Sequence, residues 1–309
     1  MLDYLFKALP FKATLVRCGA TLPIVLRSRL GTRTFGKIAG ILAEGEPLAR
    51  VNTSLGIAGS LKVSMPLTSQ GNYLFGLPKH YTGERGVLFL GKHLAQHCDA
   101  IADIGANWGF HTLFFAQHFK RPIYFFEPNT PLFENTQQAL IDNGLTHVKG
   151  FDAAIGSSTG VVTFYLNRSD DLSSSLVDVF ERQGHTVEKV EKQIYSFDDF
   201  SDQHPHKKWF LKVDIESAED QFLEGARSSL QDGRIAYLII ELLGAARSSG
   251  FVNKLIDLNL HAYYVNDFKL EHALGEDGRY QAPEYNWLFC QHAPEQLRSL
   301  LQGTEFTVA

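Results

Sequence analysis

The chain has few cysteines and no long apolar run, and each shortage excludes a class of protein. Only three of its 309 residues are cysteines (Cys18, Cys98 and Cys290), and they lie far apart, so a disulfide-stapled secreted fold is excluded. No stretch reaches the roughly 18 consecutive apolar residues that a membrane-spanning helix needs. Asp3 and Lys7 interrupt any apolar core of a secretory signal. We therefore expect a cytoplasmic protein without stable membrane insertion.

Internal repeats and low-complexity tracts are also missing, and a hydrophobic fraction of 44% is typical of a globular protein. The net charge is −5, but residues 1–50 carry eight Lys/Arg against three Asp/Glu, which leaves −10 on the rest of the chain. An acidic body is a poor surface for a phosphate backbone, so we expect no nucleic-acid partner. The basic segment is predicted to be a solvated leader or cap, with contact to an anionic partner or membrane surface as the alternative.

Apolar strand patterns alternate with helical patterns from about residue 61 onward, which is typical of a parallel sheet covered by helices on both faces. Seven strands are predicted, at residues 100–104, 123–127, 148–151, 209–214, 235–241, 262–265 and 287–290. Two further extended segments, 161–166 and 187–195, flank a polar loop. The predicted fold is therefore α/β, with a mostly parallel seven-stranded sheet. An N-terminal extension (1–64), a main domain (65–300) and a C-terminal tail (301–309) are expected.

Helix starts are indicated by capping patterns at three places. A helix is expected from about Trp108, and Thr130 is predicted to cap another, with Pro131 at its first position. Ser217 is a predicted N-cap, because Asp220 stands three residues further on, as in a capping box with the shorter acid.

Three of the predicted strands end in an acidic residue, namely Asp103, Glu127 and Asp214. In an open parallel sheet, ligands bind outside the carboxyl ends of the strands, where the strand order reverses. The three carboxylates are therefore expected to converge on one crevice. Such a group repels a pyrophosphate and suits a cationic ligand that bears hydroxyls.

The turn after the first of these strands reads D-I-G-A-N-W-G, with Gly105 and Gly109 in a G-x-x-x-G spacing that departs from the dinucleotide fingerprint. Gly105 allows the backbone to approach a ligand, and the following helix start offers N–H groups to an anion. Glu127 follows Asp103 by 24 residues, where an acid can accept hydrogen bonds from ribose hydroxyls. These features fit S-adenosylmethionine, with its carboxylate on the turn amides, its ammonium near Asp103 and its ribose on Glu127.

Five motifs together resemble the FkbM-type class I methyltransferases. They are D-I-G-A-N-W-G-F-H-T (103–112), F-E-P-N (126–129), D-A-A-I-G (152–156), K-V-D-I-E-S-A-E (212–219) and I-I-E-L (239–242), spread over roughly residues 80–290. The resemblance implies a Rossmann-like class I methyltransferase fold. It also implies methyl transfer from S-adenosylmethionine to a small-molecule acceptor, typically to an oxygen of a sugar or secondary metabolite.

The resemblance also assigns roles to residues. The cofactor-binding set that it implies is Asp103, Gly105, Ala106, Asn107, Gly109, Glu127, Pro128, Asp152, Ala153 and Asp214. Within it, Glu127 holds the ribose, and Asp152 and Ala153 flank the adenine. The sequence departs from the family pattern at two positions, with Ser217 where glycine is usual and His111 where an aromatic residue is common.

An alcohol acceptor is poorly ionised at neutral pH, so a general base is expected. Asp214 is the first candidate, followed by Glu216, Glu219 and His111; alternatively, the two glutamates are surface acids that favour a helix dipole. No metal site is expected, although a divalent ion held by Asp214 and Glu241 is the alternative that no dedicated spacing supports. His93 and His97 stand four apart, but no Glu follows His93, so a polar helix face is predicted there.

Two other functions stay open from the sequence. One is a nicotinamide-dependent Rossmann oxidoreductase, and the other is a non-catalytic protein that binds S-adenosylmethionine. Acceptor contacts are expected from residues 1–80, 166–190 and 266–286, and the loop at 170–175 is either a substrate lid or an ordinary loop. The acceptor's identity, the choice between O- and N-methylation and the oligomeric state are not fixed by the sequence.

Overall fold

The computed structural model describes residues 50–54, 61–66, 81–167, 174–178, 181, 184–242, 250–273 and 285–309. Most of the predicted N-terminal extension and most of the predicted lid loop lie outside the described residues. Within the described stretches, no helix is both long and apolar enough to span a bilayer.

Strands and helices alternate along most of the described chain. The strands are β1 (Arg50–Ser54), β2 (Lys62–Pro66), β3 (Ala100–Ile104), β4 (Ile123–Phe126), β5 (Val148–Phe151), β6 (Ala153–Gly156), β7 (Gly160–Asn167), β8 (Val187–Ser196), β9 (Trp209–Val213), β10 (Ile235–Leu242), β11 (His261–Asn266), β12 (Lys269–His272), β13 (Tyr285–Cys290) and β14 (Thr307–Val308). The helices are α1 (Tyr81–Ala95), α2 (Phe110–His118), α3 (Thr130–Asp142), α4 (Phe197–Gln203), α5 (Glu219–Gly225), α6 (Arg227–Gln231), α7 (Phe251–Ile256) and α8 (Pro294–Leu300).

The main sheet contains nine strands in the order β14-β12-β11-β13-β10-β9-β3-β4-β5. Strands β10, β9, β3, β4 and β5 are parallel, whereas β13 is antiparallel to both β10 and β11, and β12 is antiparallel to β11. The expected mostly parallel sheet of seven strands is therefore wrong, because the sheet is mixed and has nine. The two additional strands, β12 and β14, have only four and two residues, too few to give a periodic signal in the sequence.

Alternate residues of the central strands enter two hydrophobic cores on opposite faces of the main sheet. In β9, Phe210 joins one core and Leu211 joins the other, and both are fully buried. Helices α1, α2, α3 and α8 cover the Phe210 face, and α4 to α7 cover the Leu211 face. Each such side chain stabilises the fold by about 1.5–3 kcal/mol. The α/β prediction with helices on both faces is confirmed.

Two smaller sheets flank the main one. Strands β6, β8 and β7 form a three-stranded sheet in that order, and β1 pairs with β2 in an antiparallel ladder. Only Asp152 separates β5 of the main sheet from β6, so the three-stranded sheet begins beside the carboxyl end of β5. Leu61 and Val63 bring β2 against α3. The division into 1–64, 65–300 and 301–309 stays a prediction, although β14 of the expected tail pairs with β12.

Three helix starts differ from the predicted ones. Helix α2 begins at Phe110 rather than Trp108, and α3 is capped by Asn129, with Thr130 inside the helix. The predicted N-cap at Ser217 is wrong, because α5 begins at Glu219 after an N-cap at Ala218. Ser217 has a φ of +77°, in the left-handed region. An N-cap residue whose side chain accepts a bond from a backbone N–H has extended backbone angles instead.

Candidate active site

A cavity of about 230 Å³ opens at the carboxyl ends of β3, β4 and β9. The chain leaves β3 for β4 on one side while β9 lies on the other, so the strand order reverses here, as at ligand sites of open α/β sheets. The predicted site residues that line the cavity are Gly105, Ala106, Asn107, His111, Glu127, Pro128, Ala153, Asp214 and Glu216. The predicted site residues outside its lining are Asp103, Gly109, Asp152 and Glu219.

Gly105 brings the turn after β3 into contact with the end of β9. Its φ is +77°, and a Cβ at this position would lie 1.8 Å from the carbonyl oxygen of Asp214. Gly109 has a φ of +76°, and a Cβ there would lie 2.4 Å from Cγ2 of Thr136 on α3. Both glycines therefore shape the turn through close packing, and Gly105 sets the distance between two walls of the cavity.

The backbone amides of the turn, which are expected to bind a ligand carboxylate, are engaged within the protein. The backbone N–H groups of residues 105–109 all donate within the protein, at 2.6–3.0 Å, to the carbonyls of Phe126 and Ala106 and to the side chains of Glu127 and Asn107. A ligand carboxylate could rest on these amides only by displacing those bonds, and its expected place there stays a prediction. Two other features with positive charge or partial charge border the cavity, Lys212 of β9 and the N-terminus of α2 at Phe110.

Glu127 is buried, and each of its carboxylate oxygens is held by one backbone amide. Oε1 accepts from Asn129 N–H at 2.8 Å, and Oε2 accepts from Asn107 N–H at 2.6 Å. Burial raises the pKa of Glu127 to about 7, with Asp103 and Asp152 adding to the rise and the two amide bonds opposing it. Each oxygen can accept a further bond, so the carboxylate suits a ligand with neighbouring hydroxyls.

Asp103 lies beneath the cavity rather than in its lining. Its Oδ2 accepts a bond from the Thr112 hydroxyl at 2.5 Å, and its Oδ1 has no hydrogen-bond partner among the described residues. Asp103 is also in register with Lys212 of the neighbouring strand, so the two side chains share a face of the sheet. Of the three strand-end acids, two line the cavity, whereas Asp103 binds Thr112 of α2.

Asp152, expected beside the adenine, is occupied by protein contacts. Its Oδ1 accepts from Lys192 Nζ at 2.6 Å, and its Oδ2 accepts from the Thr130 hydroxyl at 2.7 Å. These bonds connect β8 to the start of α3. Its neighbour Ala153 does line the cavity, with Leu132 of α3 nearby in the lining.

Asp214 follows the last residue of β9, where its side chain is 29% exposed. Its Oδ2 accepts a bond from Lys212 Nζ at 2.9 Å, and Lys212 itself is almost completely buried. Glu241 of β10 joins both in the cavity lining. Lys212 is not among the predicted site residues, because it is one polar position within an apolar strand. The sequence suggests Glu241 only as a conceivable ligand of a divalent ion.

The other candidate bases differ in their access to the cavity. Glu216 and His111 line it, whereas Glu219 is 1% exposed and lies outside the lining. Burial raises the pKa of Glu219 to about 7, and the charges of Asp214 and Asp220 add to that rise. Glu219 is therefore a buried first residue of α5, neither the surface acid of the alternative prediction nor a group that reaches a ligand.

Part of the cavity lining comes from the region of the three-stranded sheet. Phe164 of β7, together with Ser174 and Leu176 after it, contributes to the lining. Ser174 falls at the edge of the predicted lid loop, so this part of the loop borders the cavity. The apolar side chains here were not predicted, since nothing local in the sequence indicates that β7 borders the cavity.

A polar helix face is predicted at His93 and His97, but α1 ends at Ala95, so only His93 lies on the helix. His93 Nε2 lies 3.2 Å from Glu305 Oε2, which connects α1 to the C-terminal segment. Among the described residues, no three His, Cys, Asp or Glu side chains are grouped so as to hold a metal ion.

The fold and cavity define an α/β protein with a ligand site at the point where its strand order reverses. The family model for the methyltransferase FkbM domain matches residues 103–265, which is more than half of the chain. The chain therefore belongs to the FkbM methyltransferase domain family. This membership argues against the oxidoreductase alternative. The comparison with curated proteins found no match.

The solved structures to which the chain is similar share little sequence with it. The chain is similar to methyltransferase FkbM from Methylobacillus flagellatus, at 15% identity over 90% of this chain and 60% of that one, with a TM-score of 0.44. It is also similar to precorrin-6y C5,15-methyltransferase from Geobacter metallireducens (13% identity, 67% and 87% coverage, TM-score 0.37). A third is TrmK of M. capricolum, solved with S-adenosylhomocysteine (14% identity, 66% and 66% coverage, TM-score 0.32). The chain thus spans 60% of the length of the Methylobacillus protein.

Proposed function

We propose that the chain is an S-adenosylmethionine-dependent methyltransferase that methylates a hydroxyl oxygen of a small molecule, such as a sugar or secondary metabolite. One observation carries the proposal: a single cavity brings together the buried Glu127 carboxylate, the turn at Gly105 and the Asp214 carboxylate. Carboxylates at both places favour a cationic ligand with hydroxyls and oppose a diphosphate. The family supports the same reaction class.

The residues present fit this cofactor. Glu127 would accept the ribose hydroxyls, Leu132 and Ala153 would border the adenine, and Lys212 with the start of α2 would attract the methionine carboxylate. When bound, the cofactor supplies an electrophilic methyl group on a positively charged sulfur.

Asp214 is the proposed general base. Its carboxylate would take the hydroxyl proton as the acceptor oxygen receives the methyl group, and the positive charge that the cofactor brings would be lost with that transfer, so charge would balance. Lys212 holds the carboxylate at the cavity through its 2.9 Å bond. Phe164 and Leu176 enclose the reacting groups, and such alignment and desolvation can lower the barrier by several kcal/mol.

Calorimetry with S-adenosylhomocysteine and with NAD tests the cofactor assignment. We expect binding of the first and none of the second. Incubation with methyl-labelled S-adenosylmethionine and a panel of sugars and hydroxylated metabolites then tests the reaction, through release of S-adenosylhomocysteine and label on an acceptor oxygen. Binding of NAD alone would refute the cofactor assignment. Cofactor binding without transfer to any hydroxyl, but with transfer to amines, would replace O-methylation by N-methylation.

The affinity for S-adenosylhomocysteine is expected to rise with pH. Ribose hydroxyls donate to the ionised form of Glu127, whose pKa is raised to about 7 in the free protein, so binding lowers that pKa and releases a proton. Affinity should therefore increase about tenfold between roughly pH 6 and pH 8. Calorimetry in buffers of different ionisation enthalpy measures the proton release. Glu127→Gln should bind more weakly at high pH and lose the pH dependence; an unchanged pH profile in that variant would assign the titration to another group.

A further inference from the structure

The segment that joins β9 to α5 contains two consecutive residues in the left-handed region. Glu216 has a φ of +51° and Ser217 a φ of +77°, although neither is glycine. The left-handed conformation is sterically unfavourable for an L-residue other than glycine. Glu216 lines the cavity, so this conformation affects what a ligand meets there. Contacts elsewhere must stabilise it.

Two hydrogen bonds hold the segment from opposite sides. The backbone N–H of Ser217 donates to Glu219 Oε1 at 3.0 Å, and the hydroxyl of Ser175 donates to the carbonyl oxygen of Glu216 at 2.5 Å. Ser175 is itself fixed by paired backbone bonds with Tyr165 of β7. The bond to Glu219 joins two residues that are close in sequence. Glu219 is the first residue of α5 and is almost fully buried.

We propose that Glu219 is a positioning residue, whose carboxyl oxygen accepts the Ser217 amide and thereby maintains the left-handed turn that presents Glu216 to the cavity. Glu219 does not line the cavity, so it acts through Glu216 and not on a ligand. The effect on turnover rests on the proposed methyl transfer, whereas the role in the turn does not.

The acceptor oxygen of Glu219, and not its charge, performs this role. Its pKa is raised to about 7 by burial, so a neutral carboxyl is populated near neutral pH, and its carbonyl oxygen still accepts the amide bond. Glutamine offers the same oxygen without the charge and should replace it. Alanine removes the oxygen and leaves the Ser217 amide without this partner. The pair of variants therefore separates hydrogen bonding from charge.

Amide hydrogen exchange at Ser217, followed by NMR on the full chain, tests the bond directly. We expect Glu219→Ala to speed exchange of this amide by roughly tenfold or more, because its acceptor is lost, and Glu219→Gln to leave it close to the wild-type rate. Equal exchange in the wild type and Glu219→Ala would overturn the proposal. This readout needs no methyl acceptor, so failure to observe methyl transfer would refute the proposed function and leave this result standing.

A glycine at position 217 provides the rescue test, since glycine takes a positive φ without steric cost. With an acceptor substrate, Glu219→Ala should lower kcat roughly tenfold, with the Kd for S-adenosylhomocysteine within about twofold, and adding Ser217→Gly should restore most of kcat. A double variant as impaired as Glu219→Ala would overturn the proposal, as would Glu219→Gln being equally impaired. If Glu219→Ala does not fold, the double variant is expected to recover folding, and its failure to do so would count against the proposal.

Discussion

Asp214→Asn is expected to lower kcat by about 10²- to 10⁴-fold, the range that a general base contributes, while the fold and S-adenosylhomocysteine binding are retained. The reason is geometric: the carboxylate lines the cavity and is held by Lys212, and asparagine keeps the shape but cannot accept the hydroxyl proton. Circular dichroism and calorimetry would check the fold and the binding, and turnover of labelled cofactor would check the rate.

Asp220→Asn is the matched control for this prediction. Asp220 is a partly exposed acid on α5 that pairs with Lys254 at 2.8 Å, and such surface pairs contribute about 0–1 kcal/mol. This variant should turn over at the wild-type rate. Full activity of Asp214→Asn would remove Asp214 as the base, and Glu216, which also lines the cavity, would become the first candidate.

Parallel topology explains why part of the site can be predicted from the sequence. Glu127 and Asp214 follow buried strands, and the carboxyl ends of parallel strands share one edge, so both reach the cavity as the sequence predicts. The backbone of Asp103 also lies at the carboxyl end of a buried parallel strand. Its side chain, however, is directed to Thr112 by packing under α2, and such packing depends on a helix whose exact position no strand pattern contains.

Contacts between distant segments account for most of what the sequence does not predict. Asp152 pairs with Lys192, which lies 40 residues further along the chain, and no local pattern connects them. The error at Ser217 has a local cause. A serine followed by an acid three residues later fits a helix N-cap, but it also fits a left-handed turn before the helix, as found here. The backbone conformation decides between these, and Glu219, two residues away, stabilises the second.

Gly105→Ala is expected to destabilise the protein by about 3 kcal/mol or more, because a left-handed alanine is strained and its Cβ overlaps a backbone atom that cannot rotate away. The Cβ would lie 1.8 Å from the Asp214 carbonyl oxygen, so either the chain unfolds more readily or β3 and β9 separate at their carboxyl ends. Separation would displace Asp214 and lower turnover in the protein that remains folded. Denaturant unfolding and turnover per folded molecule measure the two effects.

Gly144→Ala isolates the backbone contribution to this effect. Gly144 has a φ of +67°, close to that of Gly105, but a Cβ there would meet no atom within 4 Å. Replacing Gly144 by alanine should lower the free energy of unfolding by about 1–2 kcal/mol, through left-handed strain alone, and should leave turnover unchanged. The difference between the two variants measures the close approach of the turn to β9. If both variants lost the same stability and both kept full turnover, that approach would not shape the cavity, and the role assigned to Gly105 would be wrong.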